Sequence, residues 1–170
     1  MSDKKPFAAH GVIPACLMPF TADLAVDESA YRKHLADVST VEGISGITIN
    51  GHAAEVHALT IDEQYRAIVV TKDVLQDQVP TIVGVYTNSS LEAARIAAYA
   101  EQEGADALLV FPPDFMTLGG HLRPEMIVEH LKRITDASNL PIILFQYPIA
   151  SGLGYPFETL TPSYASAIGA

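Results

Sequence analysis

The sequence predicts an α/β protein built on a parallel sheet, and three observations carry that reading. Apolar runs of strand length alternate with stretches of helical periodicity, at intervals of roughly thirty residues, the size of a βαβ unit. The strand-like runs are apolar throughout rather than alternating, the pattern of strands covered on both faces. Helix-opening signals recur between them, which fixes the order strand, helix, strand along the chain.

The elements follow in order. Gly11 to Phe20 reads as a first strand, and Asp27 caps a helix carrying Tyr31, His34, Leu35 and Val38. Gly46 to Gly51 is a second strand ending in a glycine turn; Thr60-Ile61-Asp62-Glu63 is a capping box opening a helix through about Leu75. Val79 to Tyr86 forms a third strand, and Ser89-Ser90-Leu91-Glu92 reads as another capping box before an alanine-rich helix that stops at Gly104. Ala107 to Phe111 makes a fourth strand, broken by Pro112-Pro113, and Pro124 stands as the first residue of a helix to about Ala137. The fifth strand begins after Pro141 and runs to Pro148 as a buried apolar run, with Phe145 and Tyr147 on one face. Two architectures fit: an open, flavodoxin-like five-stranded sheet, or the first five units of an eight-unit (β/α) barrel, whose usual length is ~250 residues. The first would place a glycine-rich cradle after strand one, and Pro19-Phe20-Thr21-Ala22-Asp23 has none. In both, chemistry belongs at the carboxyl ends of the strands.

Composition narrows the function classes. The 170 residues suffice for one domain with its own core, read as a tail over 1–10 and an incomplete barrel domain over 11–170. A formal charge of -10 argues against nucleic acid or an anionic membrane as partner. No run is apolar for a bilayer's width, and Met1 to Pro6 does not lead into a signal-peptide core, so a cytoplasmic address is the expectation. The lone Cys16 excludes an internal disulfide framework and reads as a packing residue.

The motifs Leu17-Met18-Pro19-Phe20, Asp27, Gly51 through Thr60, Phe111-Pro112-Pro113 and Phe145 through Gly152, in this order and spacing, resemble the dihydrodipicolinate synthase and N-acetylneuraminate lyase family of Schiff-base aldolases. That resemblance implies a (β/α) barrel that binds a 2-keto acid such as pyruvate as an imine on a lysine of strand six, an electron sink for breaking or forming a C–C bond. It also implies a lyase or aldolase without a separate cofactor. Lys4 and Lys5 fall in the tail and Lys33, Lys72 and Lys132 within helices, so none matches that lysine. Thr161 to Ala170 corresponds to the approach to strand six, which makes the chain resemble the amino-terminal part of such an enzyme. Dehydration of the keto acid stands open beside C–C bond chemistry. An incomplete barrel exposes sheet edges, so a homo-oligomer is expected; a non-catalytic half barrel that binds a small carboxylate or self-associates is the competing reading.

Residue by residue, the chain departs from the family's pattern. Where the family carries glycine, two hydroxylated residues, glycine and glutamate to hold the keto acid's carboxylate, this chain has Gly51, His52, Ala53, Ala54 and Glu55. Backbone amides of Gly51 to Ala54 can still receive a carboxylate, while His52 reads either as a donor and proton carrier or as an ordinary polar loop residue. Aligned on Pro148 and Gly152, the family's acid–base tyrosine is Phe145, and Tyr147 lies on the same face about 6 to 7 Å further along. Tyr147 reads either as its replacement or as a buried aromatic whose hydroxyl meets a backbone partner. Ala150 stands where synthases carry the arginine for a second substrate's carboxylates, which argues against lysine-pathway dihydrodipicolinate synthesis. His52, Glu55 and His57 do not have the spacing of a metal site; Asp106, Asp114 and Glu125 read as solvated or capping residues.

Overall fold

The computed structural model describes residues 7–160. Lys4, Lys5 and the stretch Thr161 to Ala170 lie outside the described residues. Four parallel strands form one sheet in chain order: β1 (Ile47–Ile49), β2 (Thr81–Val85), β3 (Ala107–Val110) and β4 (Ile142–Leu144). Ile47 stands opposite Thr81, Ile82 opposite Ala107 and Leu108 opposite Ile142.

The expected first strand does not form as a strand. Its segment lies parallel to β1 and bridges it at Val12 with Ile44 and at Ala15 with Thr48. The Cys16 amide donates to the Thr48 carbonyl at 2.8 Å, and the Thr48 amide to Pro14 at 2.9 Å. Pro14 and Pro19 have no amide hydrogen to give, and the Leu17 amide is taken by His34 Nε2 at 3.1 Å. The ladder therefore stays interrupted. Its position still decides the architecture, because this segment flanks β1 on the side away from β2. A flavodoxin-like sheet would insert the first strand between the next two. Neighbours in strict chain order are those of a (β/α) barrel, and the chain is a part of one.

Four helices alternate with the strands: α1 (Glu28–Ser39), α2 (Ile61–Leu75), α3 (Ser90–Gln102) and α4 (Pro124–Ala137). Asp27 caps α1 through the Ala30 amide, and Thr60 with Glu63 closes a reciprocal capping box on α2. The second expected box is half formed: Ser89 receives the Glu92 amide, but the Glu92 carboxylate turns to the Tyr65 hydroxyl and Arg95. Each helix packs on the next, with specific side-chain ties between each pair. The Tyr31 hydroxyl meets Thr71 Oγ1 at 3.0 Å, the Tyr65 and Tyr99 rings stack at 4.4 Å, and Ser90 Oγ meets His130 Nδ1 at 3.0 Å.

The core runs between helices and sheet, with Ile47, Ile49, Val83 and Leu108 fully buried. Cys16 is part of it, its thiol pushed up to about 11 by burial and so unreactive at neutral pH. β4, expected to be buried, is the half-exposed edge of the sheet, since only β3 pairs with it among the described residues. Among these residues no helix is long and apolar enough to cross a membrane.

Candidate functional site

The site is built at the carboxyl ends of the strands. After β1 the chain turns at Asn50, whose positive φ of 51° is a conformation asparagine tolerates better than most residues. Asn50 is fully buried, and its side-chain nitrogen donates to the Gln64 carbonyl at 3.0 Å, tying the turn to α2. The Asn50 carbonyl lies directly over Gly84 of β2: a Cβ built there would sit 1.9 Å from that oxygen. Glycine is required at this crossing, which lets the β1 exit rest on the neighbouring strand.

Gly51 then opens a short 3-10 turn, His52–Ala54, which Glu55 ends in the left-handed region at φ 52°. The amides of Ala54, Glu55 and Val56 are used within the turn, donating to Gly51, His52 and Gly51. Those of His52 and Ala53 take no acceptor among the described residues. Gly51 and Ala54 are buried, His52 is half-buried, and Ala53, Glu55 and His57 are exposed.

The His52 side chain reaches across the carboxyl end of the sheet and hydrogen-bonds through Nε2 to the Tyr147 hydroxyl. On the way its ring meets Phe111, just past β3, edge-on at 4.4 Å, and Phe145 at 5.8 Å. The Phe145 and Tyr147 rings lie 4.9 Å apart, as expected of same-face neighbours, and Phe145 is 4.8 Å from Phe111. Tyr147 is thus half-buried with a side-chain partner, not a buried aromatic bonded to backbone.

A second arm comes from Tyr86 and Asn88, which the sequence reading passed over, and from Asp114, which it took as solvated or capping. Tyr86 follows β2 and sets its ring 5.5 Å from His52. Its hydroxyl donates to both oxygens of Asp114, at 2.9 and 3.1 Å, and Asn88 Nδ2 donates to Oδ2 at 3.1 Å. Asp114 is therefore no simple solvated residue. The signal that would have found Tyr86 was available: it is the residue directly after a buried strand, on the face of the sheet where sites form. By contrast Asp106 turns to the other end, accepting the Thr81 amide at 2.9 Å, and Glu125 sits in the first turn of α4 near Arg123. Ala150 is exposed on a 3-10 turn, Ile149–Ser151.

The electrostatics set the protonation states. Burial, and then the nearby His57, hold the His52 imidazole below its ordinary value, while Asp114 pulls it up. Burial raises Tyr147, with Asp114 adding to it. Tyr86 is raised to about 12 by burial, then by its hydrogen bond to Asp114 and that carboxylate's charge. At neutral pH the pair is a neutral imidazole beside a protonated phenol, the elements of general acid–base transfer. Among the described residues no three of His, Cys, Asp and Glu surround a common metal position. Lys33, Lys72 and Lys132 are on the helices, paired with Asp37, Asp77 and Asp136 and away from the site.

The chain matches the Dihydrodipicolinate synthetase family over residues 8–163. It is 31% identical over 151 residues to the 4-hydroxy-tetrahydrodipicolinate synthase of Methanothermobacter thermautotrophicus, covering 89% of this chain and 52% of that protein. Among solved structures it is similar to dihydrodipicolinate synthase from Aquifex aeolicus, with TM-score 0.80 and 26% identity over 92% of this chain and 51% of that one. The prophage protein YagE of E. coli K12, solved in complex with pyruvate, shares the fold with TM-score 0.77 and 23% identity over 94% of this chain and 50% of that one. The chain thus spans about half the length of the relatives it matches. With its strands in barrel order and the family match running over residues 8–163, the chain belongs to the Dihydrodipicolinate synthetase family.

Proposed function

We propose that this chain carries the carboxylate-binding and proton-transfer side of a lyase or aldolase site for a 2-keto acid such as pyruvate. The amides of His52 and Ala53, with Gly51 and Ala54 shaping the turn, receive the carboxylate; His52 and Tyr147 carry the proton, and Phe145 forms the wall beside them. The observation that carries this reading is the His52–Tyr147 hydrogen bond, which joins the ends of β1 and β4 above the turn with unused amides. A basic nitrogen and a phenol in contact supply the acid and base that a keto-acid reaction needs. The YagE complex with pyruvate supports the ligand class. The imine lysine comes from polypeptide outside these residues, in the cytoplasm, within a homo-oligomer. The relatives' name suggests dihydrodipicolinate synthesis; Ala150, which offers a second carboxylate no donor, favours a different second reactant.

Amide spectra of the labelled chain titrated with pyruvate test this reading. Saturable shifts at Gly51 to Ala54 and at Tyr147 are expected, and Tyr147→Phe should leave the amide shifts while altering the His52 ring signals. Shifts scattered over the helices, or none, would sink it. Borohydride reduction with pyruvate, read by intact mass, should give no adduct on Lys33, Lys72 or Lys132; an adduct there would move the imine into this chain.

A further inference from the structure

We propose that Asp114 is a specificity residue of this site: it excludes a second reactant bearing a carboxylate and leaves the aromatic wall to an uncharged aromatic or apolar carbonyl compound. The inference rests on the keto-acid reading above and adds the identity of what joins the keto acid.

Asp114 is fixed by geometry rather than neutralised. Its partners, the Tyr86 hydroxyl and the Asn88 amide, carry no charge, and the Asp114 amide is itself held by Asn88 Oδ1 at 2.7 Å. Among the described residues no lysine or arginine pairs with it: Arg32 and Arg66 are engaged by Glu28, Arg95 by Glu92, Arg123 by Glu125 and Arg133 by Glu129. A carboxylate clamped by neutral donors is held in place with no counter-ion beside it. That charge is felt at both proton-carrying groups, His52 and Tyr147.

The rest of the wall is apolar. Phe145, Tyr147 and Tyr86 stand half-buried at the ends of β4 and β2 over the buried Phe111 ring beyond β3, with centroids 4.8, 4.9 and 6.2 Å apart for Phe111–Phe145, Phe145–Tyr147 and Tyr86–Phe111. An aryl or alkyl group gains stacking and apolar contact against such a surface. A second carboxylate meets the opposite: a like charge held at the rim and no cationic donor, an arrangement that rejects the wrong partner by repulsion rather than by better contacts with the right one.

Calorimetric titration of the chain with three probes, pyruvate, phenylpyruvate and 2-oxoglutarate, tests the proposal. Phenylpyruvate is expected to bind more tightly than pyruvate, and 2-oxoglutarate more weakly by about tenfold, the scale of one like-charge contact screened by water. Asp114→Asn keeps the hydrogen-bonding frame without the charge and should narrow the gap between 2-oxoglutarate and pyruvate severalfold. Tyr86→Phe, which removes a clamp and leaves the charge, should keep 2-oxoglutarate the weakest of the three. If 2-oxoglutarate binds the native chain as well as phenylpyruvate, or if Asp114→Asn leaves the ratio unchanged, the specificity role is overturned while the keto-acid site stands. If pyruvate itself does not bind, both fall. The ranking on the native chain decides the matter even where a variant does not fold.

Discussion

His130 should make the chain sensitive to mild acid. Its imidazole lies on α4 with 1% exposure, bonded to Ser90 on α3 at 3.0 Å and facing the Phe115 ring at 6.4 Å. Burial pushes its pKa down to about 4, against about 6.5 in an unfolded chain. Between those values the unfolded chain binds a proton that the folded chain refuses, so stability is whole above about pH 6.5 and falls as pH drops towards 4. At about 1.4 kcal/mol per pH unit, a window of roughly 2.5 units costs about 3.5 kcal/mol. That is a large share of a domain's usual 5–15 kcal/mol or so. Urea unfolding at neutral pH and at about pH 4.5, on the native chain and on His130→Gln, measures it. The glutamine keeps a polar partner for Ser90 and does not titrate, so carboxylate contributions cancel in the comparison. The native chain should lose roughly 2 to 3 kcal/mol more than the variant. Parallel losses in the two, or a His130 ring signal that titrates at about 6.5, would refute the reasoning.

Other perturbations follow from the same contacts. Gly84→Ala should destabilise the fold by about 2 kcal/mol or more, because its methyl would enter the Asn50 carbonyl; an unchanged urea midpoint would show that β1 and β2 separate freely there. Thr60→Ala removes the cap that receives the Glu63 amide and should cost about 1 kcal/mol, seen as a lowered melting temperature. The isolated chain should self-associate through the segment carrying Val12 and Leu17, which are 61% and 58% exposed beside β1. A concentration-independent monomer mass in light scattering would count against that.

The fold was legible because its signals are local. Caps at Asp27 and Thr60 and Pro124 at the start of α4 are each written within four residues, and the structure holds them there. The first strand was misread because hydropathy alone hides Pro14, Pro19 and the His34 bond that interrupt its ladder. β4 looked buried because an apolar run does not say how many neighbours it has. At the site, Gly51 to Ala54, Phe145 and Tyr147 were picked out from resemblance and strand period, and they do meet around His52. Tyr86 was passed over and Asp114 was read as a solvated or capping residue because their partnership spans 28 residues and joins two loops, and no spacing rule reaches across β3.

The bond between His52 and Tyr147 should also form late in folding. It joins residues 95 positions apart, across a sheet whose far strand from β1 is β4. Local contacts build the shelf of Asn50 and Gly51 against α2 early, whereas a distant pairing waits for every intervening unit. On the proposed reading, the turn that receives a carboxylate should therefore be complete before the His52–Tyr147 contact is, and a chain folded only as far as β3 should bind pyruvate without that contact in place.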